Sequence, residues 1–376
     1  MHSTNQLFSN ITSEGQLEFS LIKVDLPAPK AHEVIVRIEA APINPSDMFP
    51  MFGPADLTQA TLEYNDTKRQ LTAPLYPGMT TRVSSRLDQV LPVGNEGAGV
   101  VVAAGESDAA QALMGKTVGI LSGAAYSELC CVPVQACIVH KDGTTPAQAA
   151  SSFINPLTAL GMVETMRMEG HTALVHTAAA SGLGQMLNKI CLAEGVPLVN
   201  IVRKDEQVDI LKSIGANYIC NSSSDSFKKD LLAAIDATGA TLAFDAIGGG
   251  ELVSDILAAM ERVGSKDAVG FNTYGSPSNK QVYIYGSLDF SPTILNRSYG
   301  MTWGIGGFLL MQFLGKITPQ RVGELHARVA NEINTTFASH FSDVISFEQA
   351  MTPSVIHKYN AKKTGEKFLL NPSLGV

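Results

Sequence analysis

The chain has 376 residues, more than one hydrophobic core usually serves, so two domains are expected. With 45% hydrophobic and 16% charged residues it is too apolar to stay disordered. Its 27 basic and 35 acidic residues leave a net charge of −8, and no basic run exceeds the pairs Lys228-Lys229 and Lys362-Lys363, so the charge pattern speaks against a nucleic-acid partner.

The opening "MHSTNQLFSN" has neither a basic nor an apolar region of the signal-peptide kind. The apolar stretch 301–315 falls short of the roughly 18 residues of a membrane span. A cytoplasmic location is expected. The five cysteines include adjacent Cys130 and Cys131 but no C-x-x-C pair, which points to reduced packing residues rather than disulfides or a zinc knuckle.

In "VIVRIEA" (34–40), Val34, Val36, Ile38 and Ala40 alternate with Arg37 and Glu39, the period of a half-buried strand. Between Phe49 and Pro92 periodicity is lost, and the segment reads as a long functional loop or lid. The short apolar runs "GAGVVVAAG", "KTVGIL", "AAYSELCCV" and "ACIVH" follow, so residues 1–150 are expected to form a β-rich domain.

Strands and helices then alternate, the mark of a parallel sheet. "TALVHTA" predicts a strand, and "LGQMLNKICLAEG" (183–195) a helix with Leu183, Leu187, Ile190 and Cys191 on one stripe and Gly195 after its end. "PLVNIVR", "NYICN", "TLAFDAIGGG" and "QVYIYGS" supply further strands, with helices over "DEQVDILKSIG" and "ELVSDILAAMERVG". The expected fold class is α/β, a Rossmann doubly wound parallel sheet over 151–319. Thr318-Pro319 reads as the start of a late helix. "TGEKFLLNP" reads as a strand that takes 320–376 back to the first domain.

The turn "HTAAASGLGQM" (176–186) departs from G-x-G-x-x-G, reading Ala179, Ser181, Gly184, with Gly182 between. Small residues still let the backbone approach a pyrophosphate, and the helix start faces it with free N–H groups. After the second strand, Arg203 and Lys204 suit the 2′-phosphate of NADP, while Asp205 offers the alternative of NAD's ribose. The NADPH reading is the better fit.

"AAPINPSD" (40–47), "GNEGAGVVVAAG" (94–105), "NPLTALG" (155–161), "AAASGLG" (178–184), "FDAIGGG" (244–250) and "YIYGSLD" (283–289) together resemble the medium-chain dehydrogenase/reductase superfamily. Its quinone oxidoreductase and enoyl thioester reductase branches are the most similar. The resemblance implies a GroES-like β-barrel catalytic domain built from both chain ends, a homodimer, and NADPH contacts at Asn44, Thr158, Ala180, Ser181, Gly182, Leu183, Arg203, Lys204, Asn221, Ile247, Tyr285 and Gly286. Asn155, before Pro156, is equally well read as a helix N-cap.

In the superfamily's zinc alcohol dehydrogenases, a cysteine, a histidine and a third ligand stand where this chain has Asn44, Asn95 and Ile154. Two neutral amides and an isoleucine are poor zinc ligands, so zinc-independent chemistry is expected. Hydride transfer to a quinone, enone or enoyl thioester then remains, with polarisation left to hydrogen-bond donors. The enoyl reductase tyrosine two residues after a glycine is replaced here: counting from Gly53 reaches Ala55. Asn44, Tyr64 and Tyr76 are the candidate catalytic donors, against readings as an Asx-turn residue and as loop packing. Asp47 and Glu96 read as turn-bracing carboxylates and His176 as a hydrogen-bonded strand residue. The alternative function is an NADPH-binding regulatory protein with little or no turnover.

Overall fold

The computed structural model describes residues 2–270 and 272–374. It divides into two compact units, one made of Met1–Ile154 with His326–Val376, the other of Asn155–Leu325.

The first unit begins with strands β1 (His2–Ile11), β2 (Gln16–Leu26) and β3 (Glu33–Pro42), then the short helix α1 (Met48–Phe52). Next come β4 (Thr61–Tyr64), β5 (Arg69–Pro74), β6 (Leu91–Pro92) and β7 (Glu96–Ala104), followed by the single helical turn α2 (Asp108–Gln111). Strands β8 (Thr117–Leu121), β9 (Leu129–Pro133) and β10 (Cys137–Val139) lead to α3 (Pro146–Ala149).

In β3, Val34, Val36 and Ile38 are buried and Arg37 is exposed, as its alternation requires. Its neighbour β7 crosses so closely that a side chain at Gly99 would strike the Arg37 carbonyl, hence glycine.

The segment 53–92 is not the open loop its sequence suggests. β4 and β5 form a hairpin whose turn is held by Asn65 Oδ1, which accepts the Thr67 and Lys68 N–H groups, and β5 pairs with β2. Leu71, Ala73 and Val83 are buried in the unit's core, so this stretch cannot act as a detachable lid. Polar residues on the outer face and strands of only a few residues hid the pattern.

The second unit starts within α4 (Ile154–Met168). Because α4 opens at Ile154, Asn155 lies inside its first turn rather than at the N-cap. Then come β11 (Leu174–Thr177), α5 (Gly182–Glu194), β12 (Leu198–Val202), α6 (Asp205–Ser213), β13 (Tyr218–Asn221) and α7 (Phe227–Thr238). They are followed by β14 (Leu242–Asp245), α8 (Leu252–Gly264), β15 (Lys280–Ile284), β16 (Trp303–Gly307), α9 (Leu310–Leu314) and α10 (Pro319–Glu332). The six strands run parallel in the order β13-β12-β11-β14-β15-β16, with the switch point between β11 and β14. Every residue of β11, β12 and β14 is buried, as strands covered on both faces demand.

The chain then returns to the first unit through β17 (Asp343–Ile345), α11 (Phe347–Met351), α12 (Pro353–Asn360) and β18 (Phe368–Leu370), where β18 pairs antiparallel with β3. All five cysteines are free thiols, and burial raises the pKa of each.

Candidate functional site

In the second unit the turn from β11 into α5 is shaped for an anion. Ala178 adopts a left-handed φ of 50°, a conformation rare outside glycine, and starts the bend. Ser181 caps α5 by accepting the Gly184 N–H at 3.1 Å, and Gly195 ends the helix at a left-handed φ of 67°. The first-turn N–H groups of Gly182 and Leu183 have no carbonyl to meet within the helix. A Cβ on Gly184 would run into the Ala179 carbonyl, whereas one on Gly182 would meet only Asn155 Nδ2 at 3.6 Å. The turn is therefore tight beneath and open above, which fits a pyrophosphate.

At the end of β12, Arg203 and Lys204 are exposed, with Lys204 at the N-cap of α6. Asp205 is engaged by Asn221, whose Nδ2 donates to it at 2.8 Å. Thr158 lies buried in α4.

At the switch point Asp245 is fully buried. It accepts Thr177 Oγ1 at 2.6 Å, the Ile247 N–H at 3.0 Å and the Gly248 N–H at 2.8 Å. Thr177 Oγ1 in turn accepts the Ala246 N–H at 2.8 Å. One strand along, the Tyr285 N–H bonds the Asp245 carbonyl at 2.9 Å, and its hydroxyl lies 2.7 Å from His176 Nε2. Burial holds the His176 pKa down to about 3, so the ring is neutral. Asp245 and Thr177 escaped sequence reasoning; the signal was an acidic residue ending an otherwise apolar strand.

In the first unit, Asn44, Glu96 and Ile154 converge. Glu96, fully buried, accepts Asn44 Nδ2 at 2.9 Å and the N–H groups of Phe153 and Ile154 at 2.9 and 3.0 Å. Asp47, also buried, accepts the Asn44 N–H at 2.8 Å and the Asn95 N–H at 3.0 Å. Burial raises the Asp47 pKa to about 7 against those two bonds, and raises Glu96 against the opposing charge of Lys367. Asn44 Oδ1 remains buried without a partner, and Asn95 Nδ2 reaches Ser46 Oγ at 3.3 Å. Asn44 thus has one amide hydrogen on Glu96 and presents an unused acceptor, so it is less well placed as a donor than its amide suggests.

These residues do not fit a zinc ion. One amide is tied to a carboxylate, the second to a hydroxyl, and Ile154 has no donor atom. Among the described residues no group of three His, Cys, Asp or Glu side chains could hold a metal.

The structure does not bring Tyr64 or Tyr76 to Asn44. The Tyr64 ring carries the Arg69 guanidinium at 5.5 Å and packs against the core, and the half-exposed Tyr76 lies beside Asp56. Among the described residues no hydrogen bond joins either ring to Asn44. Ala55, where the enoyl reductase tyrosine would stand, is buried.

A six-stranded parallel sheet with a helix-capped anion turn at its switch point defines a dinucleotide-binding protein. Residues 182–302 match the family described as zinc-binding dehydrogenase. The chain is 27% identical to prostaglandin reductase-3 of Mus musculus over 76% of its own length and 74% of that protein. It is 28% identical to a quinone oxidoreductase of Pseudomonas aeruginosa over 42% of its own length and 49% of that protein. A solved structure from Mesorhizobium loti, described as an NADPH:quinone reductase, superposes with a TM-score of 0.72 at 25% identity, covering 98% of both chains. The chain is thus similar to medium-chain dehydrogenases/reductases, with the match to the zinc-binding dehydrogenase family carried by residues 182–302.

Proposed function

We propose that this oxidoreductase uses NADPH to reduce a quinone or an activated C=C bond, without zinc. The observation that carries the reading is that Glu96 ties together Asn44 Nδ2 and the Ile154 N–H, two of the three positions where the zinc alcohol dehydrogenases resembled in sequence place metal ligands. The names of the relatives support the acceptor class. In this reading residues 1–150 and 320–376 form the catalytic domain and 151–319 the NADP-binding domain of a cytoplasmic homodimer. Ala180 to Leu183 hold the pyrophosphate; Thr158, Asn221, Ile247, Tyr285 and Gly286 of the second unit line the rest of the cofactor's path. Bound there, NADPH supplies a hydride. The chain's own residues orient the acceptor and stabilise the charge that reaches its oxygen.

A saturated alcohol must shed a proton as it gives up hydride, and no fitting Lewis acid assists here. NADPH should be oxidised with a quinone, an enone or an enoyl thioester, while NADP reduction with simple alcohols stays negligible. The purified protein should carry no stoichiometric zinc and keep its activity in chelator. Faster alcohol oxidation, or one tightly held zinc per chain, refutes the reading. NADPH binding without turnover on any acceptor would favour the regulatory alternative.

Cofactor choice rests on Arg203 and Lys204. A charge-assisted phosphate contact is worth about 1.5–3 kcal/mol, so Arg203→Ala should weaken NADPH roughly ten- to a hundredfold and leave NADH almost unchanged. Calorimetric titration of both cofactors decides the matter; equal weakening would make Arg203 a structural residue.

A further inference from the structure

The candidate donors Asn44, Tyr64 and Tyr76 are engaged elsewhere, but another tyrosine, Tyr285, borders a cavity. A hollow of about 380 Å³ opens at the carboxyl ends of β15 and β16, walled by Tyr285, Gly286, Ser287, Phe308, Leu309 and Gln312. In open parallel sheets this is the end at which ligands bind. Tyr285 is held from three directions. Its N–H bonds the Asp245 carbonyl, its ring stacks on His176 with centroids 5.7 Å apart, and its hydroxyl meets His176 Nε2. The next residue must be glycine, because a Cβ at 286 would come within 2.7 Å of the Ala246 carbonyl oxygen.

The tautomer of His176 settles what Tyr285 has left to offer. His176 Nδ1 is buried without a partner. If Nδ1 carried the proton, a buried N–H would be orphaned; if Nε2 carries it, only an acceptor lone pair is unused. Orphaned buried N–H groups are the rarer of the two. The proton therefore sits on Nε2, which donates to Tyr285 Oη, and the tyrosine's own O–H remains available to a ligand. Burial lowers the His176 pKa to about 3 and raises that of Tyr285, so neither group changes charge near neutral pH.

We propose that Tyr285 is the catalytic hydrogen-bond donor to the carbonyl oxygen of the acceptor, with His176 as the residue that positions it. The inference rests on the reductase reading above. Bound NADPH would give up hydride to the electrophilic carbon and become NADP+, and the displaced π electrons would move to the carbonyl oxygen. Tyr285 hydrogen-bonds that oxyanion without surrendering its proton. The proton that completes the reduction comes from water.

Tyr285→Phe should lower kcat with an enone at saturating NADPH by about a hundredfold, the usual effect of losing one oxyanion donor, beyond whatever weakening of NADPH binding the change causes at this cofactor-lining position. His176→Leu should lower kcat in the same direction, and His176→Gln, whose amide N–H can replace Nε2–H, should recover most of it. A second readout needs no turnover: a push-pull aryl enone bound with NADP should show a red-shifted absorbance that Tyr285→Phe abolishes. Unchanged kcat and an unchanged red shift in Tyr285→Phe overturn the proposal, as does a loss confined to NADPH affinity. Wild-type protein that shifts the probe but turns over no acceptor instead refutes the reductase reading and leaves the donor standing.

Discussion

Glu96→Ala should lower the melting temperature by about 6–20 °C, because three donors lose their acceptor inside the first unit's core. The carboxylate is fully buried and serves Asn44 Nδ2 and the N–H groups of Phe153 and Ile154. Each orphaned buried donor costs about 1–3 kcal/mol. Relief of the buried carboxylate, whose pKa burial already raises, offsets part of that sum. A net loss of about 3–5 kcal/mol corresponds to roughly 2–4 °C for each kcal/mol in a domain of this size. Glu96→Gln discriminates the cause. Its Oε1 still serves both N–H groups, and Asn44 can turn its unused Oδ1 toward the new amide, so less than about a third of the loss should appear. Calorimetric melting of the three proteins measures both effects, and an alanine variant that melts like wild type would disprove the brace.

Gly184→Ala should weaken NADPH binding about a hundredfold and destabilise the second unit. The added methyl runs into the Ala179 carbonyl, so α5 must move away from the turn, and the Ser181 cap on Gly184 is lost with it. Overpacking of this kind costs about 1–3 kcal/mol. The displaced first-turn N–H groups lose charge-assisted bonds to phosphate, at about 1.5–3 kcal/mol each. Gly182→Ala is the control for fold, since its Cβ finds only an ordinary contact with Asn155 and should leave the melting temperature within about 2 °C. If Gly184→Ala binds NADPH as wild type does, close helix-strand packing is not what shapes the turn.

The second unit was readable because its signals are local. "LVNIV" is apolar but for Asn200, which accepts Asn188 Nδ2, and so reads as a strand buried on both faces, while Ser181 and Gly195 punctuate α5 by chemistry that acts within one turn. The first unit hid more. Thr4, Gln6 and Ser9 point inward in β1 yet are polar, so the alternation of that strand cannot be seen without the partners that satisfy them: Thr4 Oγ1 takes the Leu129 N–H, and Ser9 Oγ takes Arg86. The same applies to the site. Asn44, Asn95 and Ile154 drew notice only through resemblance to proteins with metal ligands there. His176 and Tyr285 lie 109 positions apart and meet only because β14 separates β11 from β15 in the sheet. No local periodicity encodes that meeting.

The pairing of β18 with β3 has a consequence for how the protein is made. During synthesis β3 emerges early, but its antiparallel partner β18, carrying the buried Phe368, Leu369 and Leu370, emerges only after the whole nucleotide unit. The nucleotide unit is one continuous stretch and can complete its parallel sheet in the interval. The Ala41–Pro42 end of β3 must wait through all of it, since β9 covers only the earlier part of that edge, and in that period a nascent chain can pair wrongly with another copy. Closing so long a loop also places the final docking of β18 among the slow, non-local steps of folding. A ribosome stalled after the nucleotide unit and before β18 therefore carries a complete second unit and an incomplete first one.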